Sequence, residues 1–119
     1  MSDLSPTLFT RIIEGEIPAD VVYRDEQCIV IKDIAPKAPT HLLVIPVKPI
    51  ARLVEASEED KMLLGHLMWV AGEVARRAGV DDAFRLVINN GEGAGQTVFH
   101  LHLHILGNKQ FSETDLDAL

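Results

Sequence analysis

The stretch Gln96-Thr97-Val98-Phe99-His100-Leu101-His102-Leu103-His104-Ile105-Leu106 places three of the chain's five histidines within five residues, at every second position. Successive side chains of a β-strand point to opposite faces. A strand over residues 98–106 therefore puts His100, His102 and His104 on one face and Leu101, Leu103 and Ile105 on the other. The apolar face suits a core. The imidazole face buries little and would repel itself once protonated, so packing does not account for it. Neutral imidazoles attack electrophiles, carry protons or bind metals near neutral pH, and a row of three points to chemistry.

Immediately upstream, Asn90-Gly91-Glu92-Gly93-Ala94-Gly95-Gln96-Thr97 carries three glycines at alternate positions. Glycine tolerates positive φ and close backbone approach, so such a loop can turn its N–H groups inward as an anion nest. It lacks the Gly-Lys-Ser/Thr ending of a nucleotide P-loop. An anion cradle beside imidazoles describes transfer at phosphorus: N–H groups hold the oxygens, one imidazole attacks, and its neighbours hold or deliver protons.

The remaining chain supplies a frame for this strand. Ser5-Pro6 offers an N-cap and a first-turn proline, and Leu8, Phe9, Ile12 and Ile13 follow helical spacing up to Gly15, predicting a short helix over 6–14. Residues 21–24 and 28–33 read as a hairpin turning at Asp25-Glu26, and 41–46 as a core strand broken by Pro46 and Pro49. From Ser57 to Arg77 the apolar period becomes helical through Leu63, Leu64, Leu67, Met68, Ala71, Val74 and Ala75, with Ser57 as the cap. Trp69 and Met62 fall beside this stripe, where they either face a second subunit or stand partly exposed. His66 reads as a solvated or hydrogen-bonded helix histidine. Residues 84–89 form a further strand, predicted to pair antiparallel with the histidine strand. The fold class is α+β: an antiparallel sheet of about five strands with one short N-terminal and one long central helix.

With 119 residues the chain fits a single domain, residues 1–119, able to bury roughly two-thirds of its unfolded surface. Residues 108–119 form a polar, acidic tail. Lys plus Arg number 11 against 18 Asp plus Glu, a net charge of −7 with no basic stripe, so nucleic acid is a poor partner. The lone cysteine, Cys28, sits in an apolar run and reads as a buried hydrophobe, which suits a reducing cytoplasm. Neither a signal peptide nor a membrane-spanning run is visible, so a cytoplasmic protein without a membrane partner is expected.

His100-Leu101-His102-Leu103-His104-Ile105-Leu106 matches the His-φ-His-φ-His-φ-φ signature of the histidine triad superfamily at every position. Phe9-Thr10-Arg11-Ile12-Ile13, residues 34–46 and Val87-Ile88-Asn89-Asn90-Gly91 resemble its Hint branch, the nucleotide-binding histidine triad proteins, across nearly the whole chain. The resemblance implies a homodimer whose protomers join their sheets. It also implies hydrolysis of purine nucleoside phosphoramidates to nucleoside monophosphate and amine through a nucleotidyl-histidine intermediate, with no cofactor or metal. His102 then corresponds to the nucleophile, His104 and His41 to the partners that fix it, and His100 to the group near the phosphate and leaving group. Asn89, Gly95, Gln96 and Thr97 correspond to the phosphate cradle, Asp33 to the ribose acceptor, and Phe9, Ile12, Ile31 and Ile34 to the base pocket.

A nucleophilic histidine presents one unprotonated nitrogen, so its other N–H needs an acceptor, either a neighbouring backbone carbonyl or His104. Asp33 reads equally as a turn former. The acidic tail departs from the tryptophan- or proline-bearing ends of many Hint relatives, and Asp115 and Asp117 either favour a cationic leaving group or merely solubilise. Two rival activities are hydrolysis of dinucleoside polyphosphates and a non-catalytic zinc-binding adaptor built on the strand histidines and His41. Against the latter, no cysteine or carboxylate is expected at the site to complete a closed tetrahedron.

Overall fold

A computed structural model describes residues 6–114. Its elements in order are helix α1 (Leu8–Ile13), strands β1 (Val21–Arg24), β2 (Cys28–Lys32) and β3 (Thr40–Pro46), helix α2 (Lys61–Arg77), and strands β4 (Phe84–Val87) and β5 (Leu103–Gly107). The strands form one sheet in the order β1-β2-β3-β5-β4, every neighbouring pair antiparallel, as the α+β reading requires. Among the described residues no helix is long and apolar enough to cross a membrane.

Alternation along the strands divides the core between the two faces. Cys28, Val30, Leu42, Val44, Leu101, Leu103 and Ile105 pack with Leu67, Val70, Ala71 and Val74 of α2. Ile29, Ile31, Leu43 and Ile45 pack on the opposite face with Phe9 of α1. Helix α2 thus buries positions 67, 70, 71, 74 and 75, the i, i+3, i+4, i+7 pattern of one helical stripe. Met68, read as part of that stripe, is turned outward with about half its surface exposed, and Val70 takes its place.

Several boundaries differ from the sequence reading. Helix α1 begins two residues late: Thr7 is its N-cap, accepting from Thr10 N at 3.1 Å, and Ser5 lies outside the described residues. Ser57 caps a 3₁₀ turn, Glu58–Asp60, which then leads into α2. The strand from 84 ends at Val87, two residues before Asn89.

The largest difference concerns the histidines themselves. Strand β5 starts at Leu103, so His100 and His102 precede it. The β3–β5 register sets Val44 opposite Leu103, which would bring Pro46 opposite Leu101. Proline has no N–H to offer, so the ladder stops there. Leu101 N bonds instead to Ile50 O at 2.6 Å, and the Pro46 carbonyl is taken by the His100 side chain. The side-chain alternation nevertheless persists, with Leu101 in the α2-side core and the histidines on the α1 side.

Gly107 closes β5 between Thr40 and Phe84. A Cβ there would lie 2.7 Å and 2.8 Å from Val80 Cγ1 and Cβ, and Val80 is itself buried. We expect Gly107→Ala to lower the unfolding free energy by about 2 kcal/mol through overpacking, read from urea midpoints. Val80→Ala in the same chain should recover part of the loss, and a loss below about 0.5 kcal/mol, the scale of a surface change, would show that Val80 yields freely.

Candidate active site

The site lies on the α1 face of the sheet. A cavity of about 260 Å³ is lined by Phe9, Ile12, Ile31, Asp33, Ile34, Leu43, Thr97, Val98, His102 and His104, among others. Sequence reasoning named eight of the fifteen lining residues as site residues; Leu43, Val98, Leu8, Lys32 and the 17–19 segment were missed, although Leu43's place in a strand that alternates between two cores would have assigned its face. A larger cavity, about 540 Å³, opens elsewhere and is lined by His41 and Asp33 together with Lys32, Val74 and Arg77, but neither His102 nor His104 opens onto it.

The hydrogen bonds define the protonation state of each ring, because a backbone carbonyl can only accept and a backbone N–H can only donate. His102 Nδ1 lies 2.8 Å from the His100 carbonyl, so Nδ1 carries the proton and Nε2 presents its lone pair. Of the two acceptors left open by the sequence, the backbone carbonyl holds the position. His41 Nδ1 accepts from Lys37 N at 3.0 Å, which puts the proton on Nε2. That proton points at His104 Nδ1, 2.9 Å away. His104 must then carry its own proton on Nε2, a buried nitrogen without a partner among the described residues. The result is a lone pair and an unused N–H donor on adjacent rings, 4.8 Å apart between centroids, both at the wall of one cavity.

His100 plays a different part. It is fully buried, and both ring nitrogens are engaged: Nε2 donates to the Pro46 carbonyl at 2.7 Å, and Nδ1 accepts from the Thr7 hydroxyl at 2.9 Å. It is absent from the cavity wall, and what it offers the site is its backbone carbonyl. Phe9 packs edge-on against both His100 and His102, with centroids 5.9 Å and 4.9 Å apart.

Burial is the largest influence on all four rings, pushing each below the ordinary histidine range. His104 is pushed furthest, to about 4, by burial and by the neighbouring His102 and His41. His41 is lowered by burial, with Asp33 opposing the shift; His100 and His102 are lowered by burial, with their backbone hydrogen bonds opposing it. At neutral pH the cluster is uncharged, as nucleophilic and donor roles both require.

Asp33 combines the two readings given to it. Oδ1 accepts from Ala35 N at 2.8 Å, forming the turn after β2, while Oδ2 lies 3.5 Å from His41 Nε2. A carboxylate therefore does reach the histidines, which corrects the expectation that none would. The turn residue and the site residue are the same because β2 ends at the mouth of the cavity.

Asn89, Gly95 and Gln96 do not line the cavity. The buried Gln96 side chain accepts from Gly91 N at 2.8 Å and donates to the Ala51 and Val98 carbonyls at 2.8 and 3.0 Å. It pins the glycine loop from inside. Gly91 and Gly95 sit at φ of 92° and 95°, the left-handed conformations the loop needs glycine to adopt. A Cβ on Gly95 would come within 3.8 Å of Asn89 Nδ2, so Asn89 lies directly behind the loop.

Two groups of described residues bring three potential metal ligands within 4.8 Å of one another: Asp33, His41 and His104, and Asp25, Cys28 and His66. In the first, His41 Nε2 and His104 Nδ1 already share a proton. In the second, His66 Nε2 lies 2.7 Å from Asp25 Oδ2, which also accepts from the Tyr23 hydroxyl at 2.8 Å. His66 thus takes the hydrogen-bonded reading, tying α2 to the β1–β2 hairpin. Cys28 is fully buried, with its thiol pushed up to about 12, chiefly by burial.

In sequence and fold the chain is similar to known proteins. The HIT domain model matches residues 14–111. An uncharacterized HIT-like protein of Synechocystis is 58% identical over 106 residues, covering 89% of this chain and 93% of that protein. A 14 kDa zinc-binding protein of Zea mays is 46% identical over 112 residues, covering 92% and 88%. Among solved structures, a HIT family hydrolase from Legionella pneumophila superposes with a TM-score of 0.87 at 42% identity, covering 91% of this chain and 97% of that one. With its histidine row, its five-stranded sheet and most of its length matched, the chain belongs to the HIT domain family of histidine triad proteins.

Proposed function

We propose that this chain is a Hint-type hydrolase that cleaves the P–N bond of purine nucleoside phosphoramidates, releasing nucleoside monophosphate and an amine. The observation that carries the reading is the pair of adjacent rings in complementary states, the His102 Nε2 lone pair beside the unpartnered His104 Nε2–H. The apolar side of the cavity, with Phe9, Ile12, Ile31 and Ile34, suits a purine ring. Asp33 at its rim accepts ribose hydroxyls. Thr97, where the chain leaves the glycine loop, lies beside the phosphate, with His104 Nε2–H donating to a phosphoryl oxygen; the loop turns the N–H groups of Gly91, Ala94, Gly95 and Gln96 onto its own oxygens, so it supports Thr97 and is not itself the anion nest its glycines suggested.

In the first step His102 Nε2 attacks phosphorus, the P–N bond breaks, and the amine leaves with the bonding pair and a proton from water at the cavity mouth. The positive charge that develops on the imidazole is stabilised through Nδ1–H by the His100 carbonyl. In the second step water attacks the same phosphorus, Nε2 departs, and the water's extra proton is returned to solvent. No step requires a metal. We also infer a homodimer, since β4 is an open edge of the sheet and Met62 and Trp69 stand exposed on α2.

A zinc-binding reading has one observation in its favour, the convergence of Asp33, His41 and His104, and the maize relative's name agrees with it. An ion there would have to displace the proton between the two rings. The deciding assay is nucleoside monophosphate release from an adenosine phosphoramidate in excess EDTA, with a dinucleoside polyphosphate as competing substrate. Turnover of the phosphoramidate in chelator supports the hydrolase. Dependence on added zinc, or preference for the polyphosphate, overturns it.

A further inference from the structure

We propose that Thr7 is a positioning residue for the nucleophile, acting from the N-cap of α1 through His100; the inference rests on the reading of His102 above. Its hydroxyl belongs to a chain of hydrogen bonds that fixes His100, the residue whose backbone carbonyl accepts from the reacting ring. Because His100 Nε2 must donate to the Pro46 carbonyl, the neutral ring has only a lone pair at Nδ1, and the Thr7 hydroxyl is the donor to it at 2.9 Å. The Thr7 oxygen meanwhile accepts from Thr10 N at 3.1 Å, with the Thr10 hydroxyl 3.2 Å away as a second donor. Every polar atom in the chain is thereby satisfied in one direction only: Thr10 to Thr7, Thr7 to His100 Nδ1, His100 Nε2 to Pro46.

With both nitrogens held, the buried His100 ring is fixed, and with it the backbone carbonyl two residues before His102 that accepts its Nδ1–H. Without the Thr7 donor, Nδ1 would be a buried acceptor with no partner, and the ring, held at Nε2 alone, would be free to shift about the Pro46 bond. That movement loosens the carbonyl that accepts from His102 Nδ1. The same hydroxyl begins the helix that carries Phe9 and Ile12 into the cavity. One side chain therefore joins the wall where the base would lie to the nitrogen that attacks, and base docking on α1 reinforces the aim of the nucleophile.

The test separates this role from simple helix capping. Glycine is nearly as good an N-cap as threonine, so Thr7→Gly keeps the start of α1 at little cost while removing the donor to His100 along with the acceptor for Thr10; Thr7→Ser keeps both. For phosphoramidate hydrolysis we expect Thr7→Gly to lower kcat about tenfold with KM unchanged, and Thr7→Ser to restore it to within about twofold of native. ¹⁵N spectra of the imidazoles should show His100 as the Nε2–H tautomer in all three proteins, because the Pro46 carbonyl sets it, with the Nδ1 resonance shifted in Thr7→Gly by loss of its hydrogen bond and unshifted in Thr7→Ser. Unchanged kcat in Thr7→Gly, a rise in KM alone, or an unshifted His100 Nδ1 resonance overturns the proposal. If the native protein does not turn over phosphoramidates, the hydrolase reading fails, and the ¹⁵N spectra still decide whether Thr7 holds the His100 ring.

Discussion

His102→Ala is expected to abolish phosphoramidate hydrolysis, lowering kcat by about 10³-fold or more, while the protein stays folded. The ring is buried, but the one hydrogen bond it makes among the described residues is to the His100 carbonyl two residues away, so its removal opens space at a cavity wall and costs the edge contact with Phe9 without leaving a hydrogen-bonding side chain of another element unpaired. The loss is large because the covalent route disappears. Neither His104, with its proton on Nε2 and its Nδ1 bonded to His41, nor His100, with both nitrogens engaged, presents a lone pair to replace it. Initial rates with matched circular dichroism spectra give the basic comparison. Rapid acid quench of native enzyme during turnover, followed by peptide mass analysis, should find the nucleotidyl group on the peptide containing His102 and not in the variant. A variant retaining a tenth or more of native kcat would mean that water attacks directly and that the triad only binds.

The second large effect concerns acid. A histidine whose pKa is lower in the folded protein binds more protons when unfolded, so stability rises with pH between the folded and unfolded values. For His104 that window runs from about 4 up to the ordinary value of 6.5. Its share of stability is fully present above the window and is lost as pH falls through it, of order 3 kcal/mol across the whole span. His41, His100 and His102 are lowered as well, so they add to the slope with the same sign. Urea midpoints should therefore be flat above pH 7 and fall steeply between about pH 6.5 and 4. His104→Gln should flatten the curve, although its stability at pH 7 is lower. A native profile without slope in that window would mean that the cluster protonates without cost, which contradicts its burial.

Much of this site could be read before the fold was known, and the reasons the rest could not are specific. Alternation alone put the histidines on one side and Leu101, Leu103 and Ile105 on the other, because that pattern depends only on extended backbone. It could not show that pairing stops at Leu103, since the cause is Pro46 on a strand more than fifty residues away. The division of labour within the row was equally hidden. His100 and His102 have similar neighbours in sequence, and they differ because one ring meets Thr7 and Pro46 while the other meets an open cavity. Gln96 resembled a phosphate ligand by position, and the fold turns its amide onto Gly91, Ala51 and Val98. Asp33 was assigned two alternative roles and performs the turn while standing beside the histidines, a coincidence only three dimensions reveal. The suggested effects of Asp115 and Asp117 on the leaving group fall outside the described residues.

The two halves of the proposed chemistry are built over very different chain distances. The hydrogen bond that selects the His102 tautomer spans two residues, whereas the one that orients His104 joins positions 63 residues apart across β3 and β5. The former is local in sequence, but its carbonyl is held through the His100 bonds to Pro46 and Thr7, 54 and 93 residues away; the latter exists only while β3 and β5 are paired. Because Pro46 ends the same strand that carries His41, opening β3 from the C-terminal segment would disarm the attacking nitrogen and the N–H donor together. A half-folded copy then loses both halves of the chemistry at once.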